Sequence, residues 1–228
     1  MKKLVLTCEH GGNSIPDQYQ RLFENHTDLL YTHRGYDPGA LNLARHLEQK
    51  LKAPLYFSEI SRLVIELNRS LHHPDLFSSI TKELPDHEKK FLINEYYSPY
   101  RNIVEENISK VIQQQQLVLH ISVHSFTPVL HNVERNCEIG LLFDPKRKSE
   151  KDFCKSWKFN LLKEEPLYRI RYNYPYKGIA DGFTTYLRKK FPVNYLGIEL
   201  ELNQKILIEN QEEVNQLIAK SLSEMVGI

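Results

Sequence analysis

Two periodicities divide this chain. Short, almost unbroken apolar runs at 4–6, 117–123 and 195–198 read as strands buried on both faces, the pattern of parallel sheets. Between them, apolar residues recur every three or four positions. Leu41, Ala44, Leu47 and Leu51 predict an amphipathic helix over 38–52, with Pro38 in its first turn and Asp37 at or beside the N-cap. The same spacing predicts a long helical region over 83–116, broken near Ser98-Pro99, and helices over 150–162, 180–190 and 206–225. Shorter strands are expected at 54–57, 138–143 and 168–171, with a strand or bend at 61–68. Strands alternating with helices predict an α/β fold: three layers, with helices on both faces of a mainly parallel mixed sheet.

Length and composition narrow the class. The 228 residues fit one domain spanning 1–228, and 41% hydrophobic with 26% charged residues is ordinary for a globular chain. A formal net charge of +1 gives no reason to expect nucleic acid or an anionic membrane as partner. Cys8, Cys137 and Cys154 are odd in number and show no Cys-x-x-Cys spacing, so neither a disulfide framework nor a cysteine zinc site is expected. No apolar run approaches the ~20 residues of a membrane span, and a cytoplasmic protein is expected.

The candidate chemistry sits where strands give way to loops, the edge at which sites of open α/β sheets form. His10 follows the first strand and precedes Gly11-Gly12, where the backbone can turn sharply, and His124 follows the strand at 117–123. Two histidines and one carboxylate would satisfy a hydrolytic zinc site with one position left for water. Asp37, in the loop Arg34-Gly35-Tyr36-Asp37-Pro38-Gly39, is the best third ligand. Glu199 and Glu201 lie two apart on one strand and share a face. Buried there, they are costly unless they are paired or one serves a metal, a proton or a substrate; on an edge strand both would simply be solvated. Arg62, Asn68 and Arg69 place two guanidinium groups near the same edge, suited to a substrate carboxylate or, for either arginine, to an ordinary ion pair, for example with Glu66. The stretch from Tyr172 to Gly178 offers pocket-lining residues, Asn173 and Tyr176 among them, and His120 is expected in the core or behind a ligand.

Taken together, these stretches resemble the N-formylglutamate amidohydrolase family. The likeness rests on Cys8-Glu9-His10-Gly11-Gly12-Asn13, on His33-Arg34-Gly35-Tyr36-Asp37-Pro38-Gly39-Ala40 and on Ser61-Arg62-Leu63-Val64-Ile65-Glu66-Leu67-Asn68-Arg69. It continues through Ile121-Ser122-Val123-His124-Ser125-Phe126-Thr127-Pro128, Asn173-Tyr174-Pro175-Tyr176-Lys177-Gly178 and Leu200-Glu201-Leu202-Asn203-Gln204. Glu66 stands where an aspartate is commoner. The resemblance implies a phosphorylase/hydrolase-like fold similar to the zinc exopeptidases. It also implies a hydrolase that uses one divalent ion, with zinc expected, to cleave an N-formyl or N-acyl group from an acidic amino acid. His10, Asp37 and His124 match the metal positions, and Glu201 matches the base, with Glu199 the alternative. Arg62, Asn68, Arg69, Asn173 and Tyr176 match substrate-binding positions. A peptidase or cell-wall amidase on the same scaffold, and a non-catalytic small-molecule binding protein, are the competing readings. The sequence leaves the oligomeric state open.

Overall fold

In the computed structural model, which describes residues 2–227, the first apolar run forms strand β1 (Lys2–Cys8). The strands that follow are β2 (Leu55–Phe57), β3 (Leu117–Phe126), β4 (Val129–Leu130), β5 (Val133–Glu134), β6 (Ile139–Leu142), β7 (Ile170–Tyr172) and β8 (Tyr195–Asn203). Helices α1 (Gln20–Phe23), α2 (Thr27–Leu30) and α3 (Ala40–Leu51) precede β2, and α4 (Asp86–Leu92) and α5 (Ser98–Gln113) lead into β3. Later come α6 (Lys148–Glu164), α7 (Phe183–Lys190), α8 (Gln204–Glu209) and α9 (Gln211–Val226). Among the described residues, six strands form one sheet in the order β2-β1-β3-β8-β6-β7. Every neighbouring pair is parallel except β6 against β8, so the sheet is mixed and mainly parallel, as the alternation of strands and helices requires.

The two faces of the central strands differ, and the difference is written in their alternation. Leu4 and Leu6 of β1, Leu119, Ile121 and Val123 of β3, and Ile198, Leu200 and Leu202 of β8 all point to one side. There they pack against Leu43 and Leu47 of α3, Trp157 and Leu161 of α6, and Ile218 and Leu222 of α9. On the other side Val5, Val118 and Tyr195 meet Val104 and Ile108 of α5 and Phe183 and Leu187 of α7. That second face turns polar toward the carboxyl ends of its strands, where Thr7, His120, Ser122, His124, Glu199 and Glu201 are all buried. A wholly apolar face anchors the sheet; the face opposite carries the polar groups.

Several local expectations are corrected. Asp37 does not cap α3: the N-cap is Gly39, at φ 82°, a left-handed conformation that suits glycine. The amide of Ala40 closes instead on the carbonyl of Asp37, which leaves the Asp37 side chain free to face the sheet. Of the two readings for residues 61–68, the chain takes the bend, as turns, and not the strand. The break expected at Ser98-Pro99 is a π-helical turn, Ile93–Tyr97, immediately before it. Pro99 has no N–H for the carbonyl one turn back, and the chain widens there before α5 begins. Strand β3 runs on to Phe126, and the segment expected as a loop after it folds in part as the β4–β5 hairpin. The C-terminal helix is split at Asn210 into α8 and α9.

Candidate active site

β1 ends at Cys8, and the following Glu9-His10-Gly11-Gly12 turn presses against residues 58–59. A Cβ on Gly11 would come within 2.8 Å of the Ser58 carbonyl oxygen, and one on Gly12 within 2.6 Å of that of Glu59, so only glycine allows this path. The loop before α3 is tied to the same turn by the Asp37 amide, which donates to the His10 carbonyl at 2.9 Å. It is tied to β3 by Ser125, whose hydroxyl donates to the Pro38 carbonyl at 2.8 Å. These backbone anchors bring three separate stretches of chain to one point.

At that point Asp37 Oδ2 lies 2.9 Å from His124 Nδ1 and 3.3 Å from His10 Nδ1. One donor atom from each of His10, Asp37 and His124 falls within 4.8 Å of the others, and all three residues are buried. Each ring is held from behind through its other nitrogen. His10 Nε2 sits 2.5 Å from Glu66 Oε1, while His124 Nε2 sits 2.8 Å from Ser122 Oγ and 3.3 Å from Glu9 Oε2. Arg62 faces the cluster from the side, with Nε and Nη2 on Glu66 Oε2 at 2.9 and 2.5 Å and Nη1 at 3.4 Å from Asp37 Oδ1.

Burial opposes ionisation at every one of these groups, and their mutual charges reverse it. Burial pushes Glu9 and Asp37 up, but His124 beside Glu9, and His10 and His124 beside Asp37, hold both well below the usual carboxylate range. Burial likewise raises Glu66, and Arg62 and His10 hold it far below that range. The two histidines go the other way. Burial lowers His124 and Asp37 and Glu9 raise it well above its ordinary value; burial and Arg62 lower His10, and Glu66 and Asp37 raise it on balance. Two neutral rings with Nε2 protonated would turn two lone pairs and a carboxylate oxygen toward one another with no proton or cation among them. Such a donor set fits a divalent cation.

Glu201 completes the cluster. It pairs in register with His124 across β3 and β8, and its Oε2 is buried without a hydrogen-bond partner among the described residues. Burial, with Asp37 and Glu199 nearby, pushes its carboxyl up to about 8 against the pull of His124. Glu199, two residues earlier, accepts a hydrogen bond from Thr184 Oγ1. Both acids line a cavity of about 530 Å³ together with His10, Asp37, His124 and Arg62.

The remaining candidates separate. Asn68, Arg69 and Tyr176 line the cavity. Asn68 Oδ1 accepts the Phe183 amide at 2.7 Å, and Arg69 Nη1 donates to the Asp181 carbonyl at 2.5 Å, so both also hold the wall that carries residues 181–183. Asn173 is not among the lining residues: its Oδ1 accepts the amides of Phe143 and Gly178 at 3.1 and 2.9 Å, fixing the turn that brings Tyr176 and Lys177 to the cavity. His120 is a core residue, with Nε2 2.8 Å from Thr7 Oγ1 and Nδ1 2.7 Å from Tyr195 Oη. The sequence reading passed over Glu9, Ser122 and Arg34, whereas Lys177 lies in the Tyr172 to Gly178 stretch expected to line the pocket and does so. Ser122 carried a signal, two positions before His124 on the same strand face; Glu9 carried only its adjacency to His10.

The model of the N-formylglutamate amidohydrolase family matches residues 2–208. Among solved structures, a gene product of Agrobacterium tumefaciens is similar at 28% identity and a TM-score of 0.81, over 98% of this chain and 91% of that one. An N-formylglutamate amidohydrolase from Ralstonia eutropha shares the fold at 17% identity and a TM-score of 0.70, over 100% of this chain and 96% of that one. No curated protein matches the chain.

Proposed function

The chain belongs to the N-formylglutamate amidohydrolase family, and on that premise we propose that it is a metal-dependent amidohydrolase removing an N-formyl or N-acyl group from an acidic amino acid. One observation carries the reading: donors from His10, Asp37 and His124 converge beside a buried, unpartnered oxygen of Glu201. These three residues would hold the ion, zinc being suited to two imidazoles and a carboxylate, and the ion would acidify a water and polarise the acyl oxygen. Glu201 takes the proton of the attacking water and returns it to the departing amine, which needs a carboxyl able to exist in both states near neutral pH. Glu199, already engaged by Thr184, is the weaker candidate for that task.

Substrate binding falls to the cations around the cavity. Arg69 has one nitrogen on Asp181 and its other donors available, while Arg34 and Lys177 line the same cavity. Together they suit a substrate bearing two carboxylates. Arg62 has its donors turned to Glu66 and Asp37, so its charge serves those buried acids rather than the substrate.

The test pairs metal content with turnover. Purified protein should hold about one equivalent of zinc or another divalent ion, hydrolyse N-formylglutamate faster than short peptides or peptidoglycan fragments, and lose both metal and activity in His124→Ala. No bound metal after incubation with zinc would remove the reading.

A further inference from the structure

The metal-centre reading leaves two buried acids without a task, Glu9 and Glu66, which are 1% and 5% exposed. Neither reaches the point where the three ligand atoms converge, yet each stands behind one of the two histidines. Their hydrogen-bond partners determine where the ring protons sit.

Around Glu9 the accounting closes. An ionised carboxylate can only accept. Tyr100 Oη donates to Oε1 at 3.1 Å, and Ser122 Oγ donates to Oε2 at 2.7 Å. Ser122 has one hydroxyl proton, and Glu9 receives it. Toward His124 Nε2, 2.8 Å away, the same hydroxyl can therefore only accept, and so can Glu9 Oε2 at 3.3 Å. His124 Nε2 must carry a proton. Glu66 imposes the same condition on His10. Its Oε2 is occupied by Arg62, and its Oε1 accepts the Asn68 amide at 3.0 Å and faces His10 Nε2 at 2.5 Å. A neutral imidazole has one proton to place, so Nε2–H on both rings leaves both Nδ1 lone pairs directed at Asp37.

We infer that Glu9 and Glu66 are positioning residues that commit His124 and His10 to the Nε2-protonated tautomer and so turn both Nδ1 atoms toward the metal ion. The inference rests on the metal-centre reading and adds the atom through which each histidine binds. Removing either charge changes the balance. A glutamine at position 9 or 66 can offer N–H to Nε2, which permits the tautomer whose proton lies on Nδ1, between the ring and the ion. Outer carboxylates of this kind are worth roughly 10–100-fold in metal affinity.

The experiment uses the full chain with 15N-labelled imidazoles, its ring nitrogens recorded by NMR before and after one equivalent of zinc. Nδ1 of His10 and His124 should respond to zinc while Nε2 of both stays protonated. Zinc on Nε2 of either ring would overturn the assignment and leave the metal centre standing, with Glu9 or Glu66 then beside the ion. No response from either ring would overturn both. Glu9→Gln and Glu66→Gln should each raise the zinc dissociation constant about 10-fold or more, read by competition with a chromophoric chelator. Unchanged constants in two folded variants would sink the inference, and where a variant fails to fold the wild-type ring nitrogens decide.

Discussion

Glu201 faces His124 across the β3–β8 ladder with one carboxylate oxygen buried and unpaired. An orphaned buried acceptor costs about 1–3 kcal/mol, and a hydrogen bond from water or substrate would remove that cost. Glu201→Gln should therefore retain zinc and fold normally while kcat falls at least ~10²-fold, the loss expected of a general base. Steady-state kinetics with metal content measured on the same sample checks this. Near-normal turnover would take Glu201 out of the reaction.

The opposite balance holds at Arg62, whose guanidinium lies against two buried carboxylates, Glu66 and Asp37. Truncating one partner of such a set leaves uncompensated charge, at a cost of about 3 kcal/mol or more. Arg62→Ala should lower the unfolding free energy of the metal-free protein by that amount, and saturating zinc should recover part of it, because the ion supplies positive charge to the same acids. A loss that zinc leaves untouched would separate Arg62 from the metal centre.

How much of this was legible in the sequence follows from what each residue depends on. His10, His124 and the pair Glu199 and Glu201 could be placed because strand periodicity fixes which side chains reach the carboxyl edge, and β1, β3 and β8 are strongly patterned. Asp37 was singled out, but its freedom to face the histidines depends on Gly39 taking the N-cap, a backbone event that propensity assigns to aspartate. Glu9 and Glu66 were opaque for a different reason. Their roles are set by contacts between residues 9 and 124 and between 10 and 66, which no local period encodes. Asn173 lies outside the cavity lining, and a turn asparagine at φ 51° and a substrate-binding asparagine look alike in a linear motif.

Arg69 and Lys177 should part company when each is removed. Arg69 Nη1 holds the Asp181 carbonyl, so Arg69→Ala loses a charge-assisted hydrogen bond of roughly 1.5–3 kcal/mol and loosens the cavity wall. Its kcat/KM should drop on acidic substrates, and its thermal midpoint should drop as well. Among the described residues no hydrogen bond or ion pair holds the Lys177 side chain, so Lys177→Ala should raise KM for N-formylglutamate several-fold over N-formylleucine at unchanged stability. Equal losses on both substrates would show that neither charge reads the side-chain carboxylate, the charge in which the two substrates differ.

His120 gives the fold a pH dependence of its own. Burial among Thr7, Tyr195 and Phe183 depresses its pKa to about 4 from the ordinary 6.5, since the charged ring has no water around it. Between those values the unfolded chain binds a proton that the folded chain refuses, so stability rises with pH across the window. The contribution is complete above about 6.5, is lost as pH falls toward about 4, and amounts to roughly 3 kcal/mol. Carboxylates of the active site add their own losses at the acid end, so the slope of the wild type alone does not isolate His120. The difference from His120→Gln does, because glutamine keeps a polar partner for Thr7 and Tyr195 and cannot titrate. Urea denaturation in steps from pH 7 to pH 4 should give a steeper fall for the wild type than for the variant, by roughly 3 kcal/mol over the whole range. Parallel curves would mean that the ring accepts its proton in the folded state as readily as in the unfolded one.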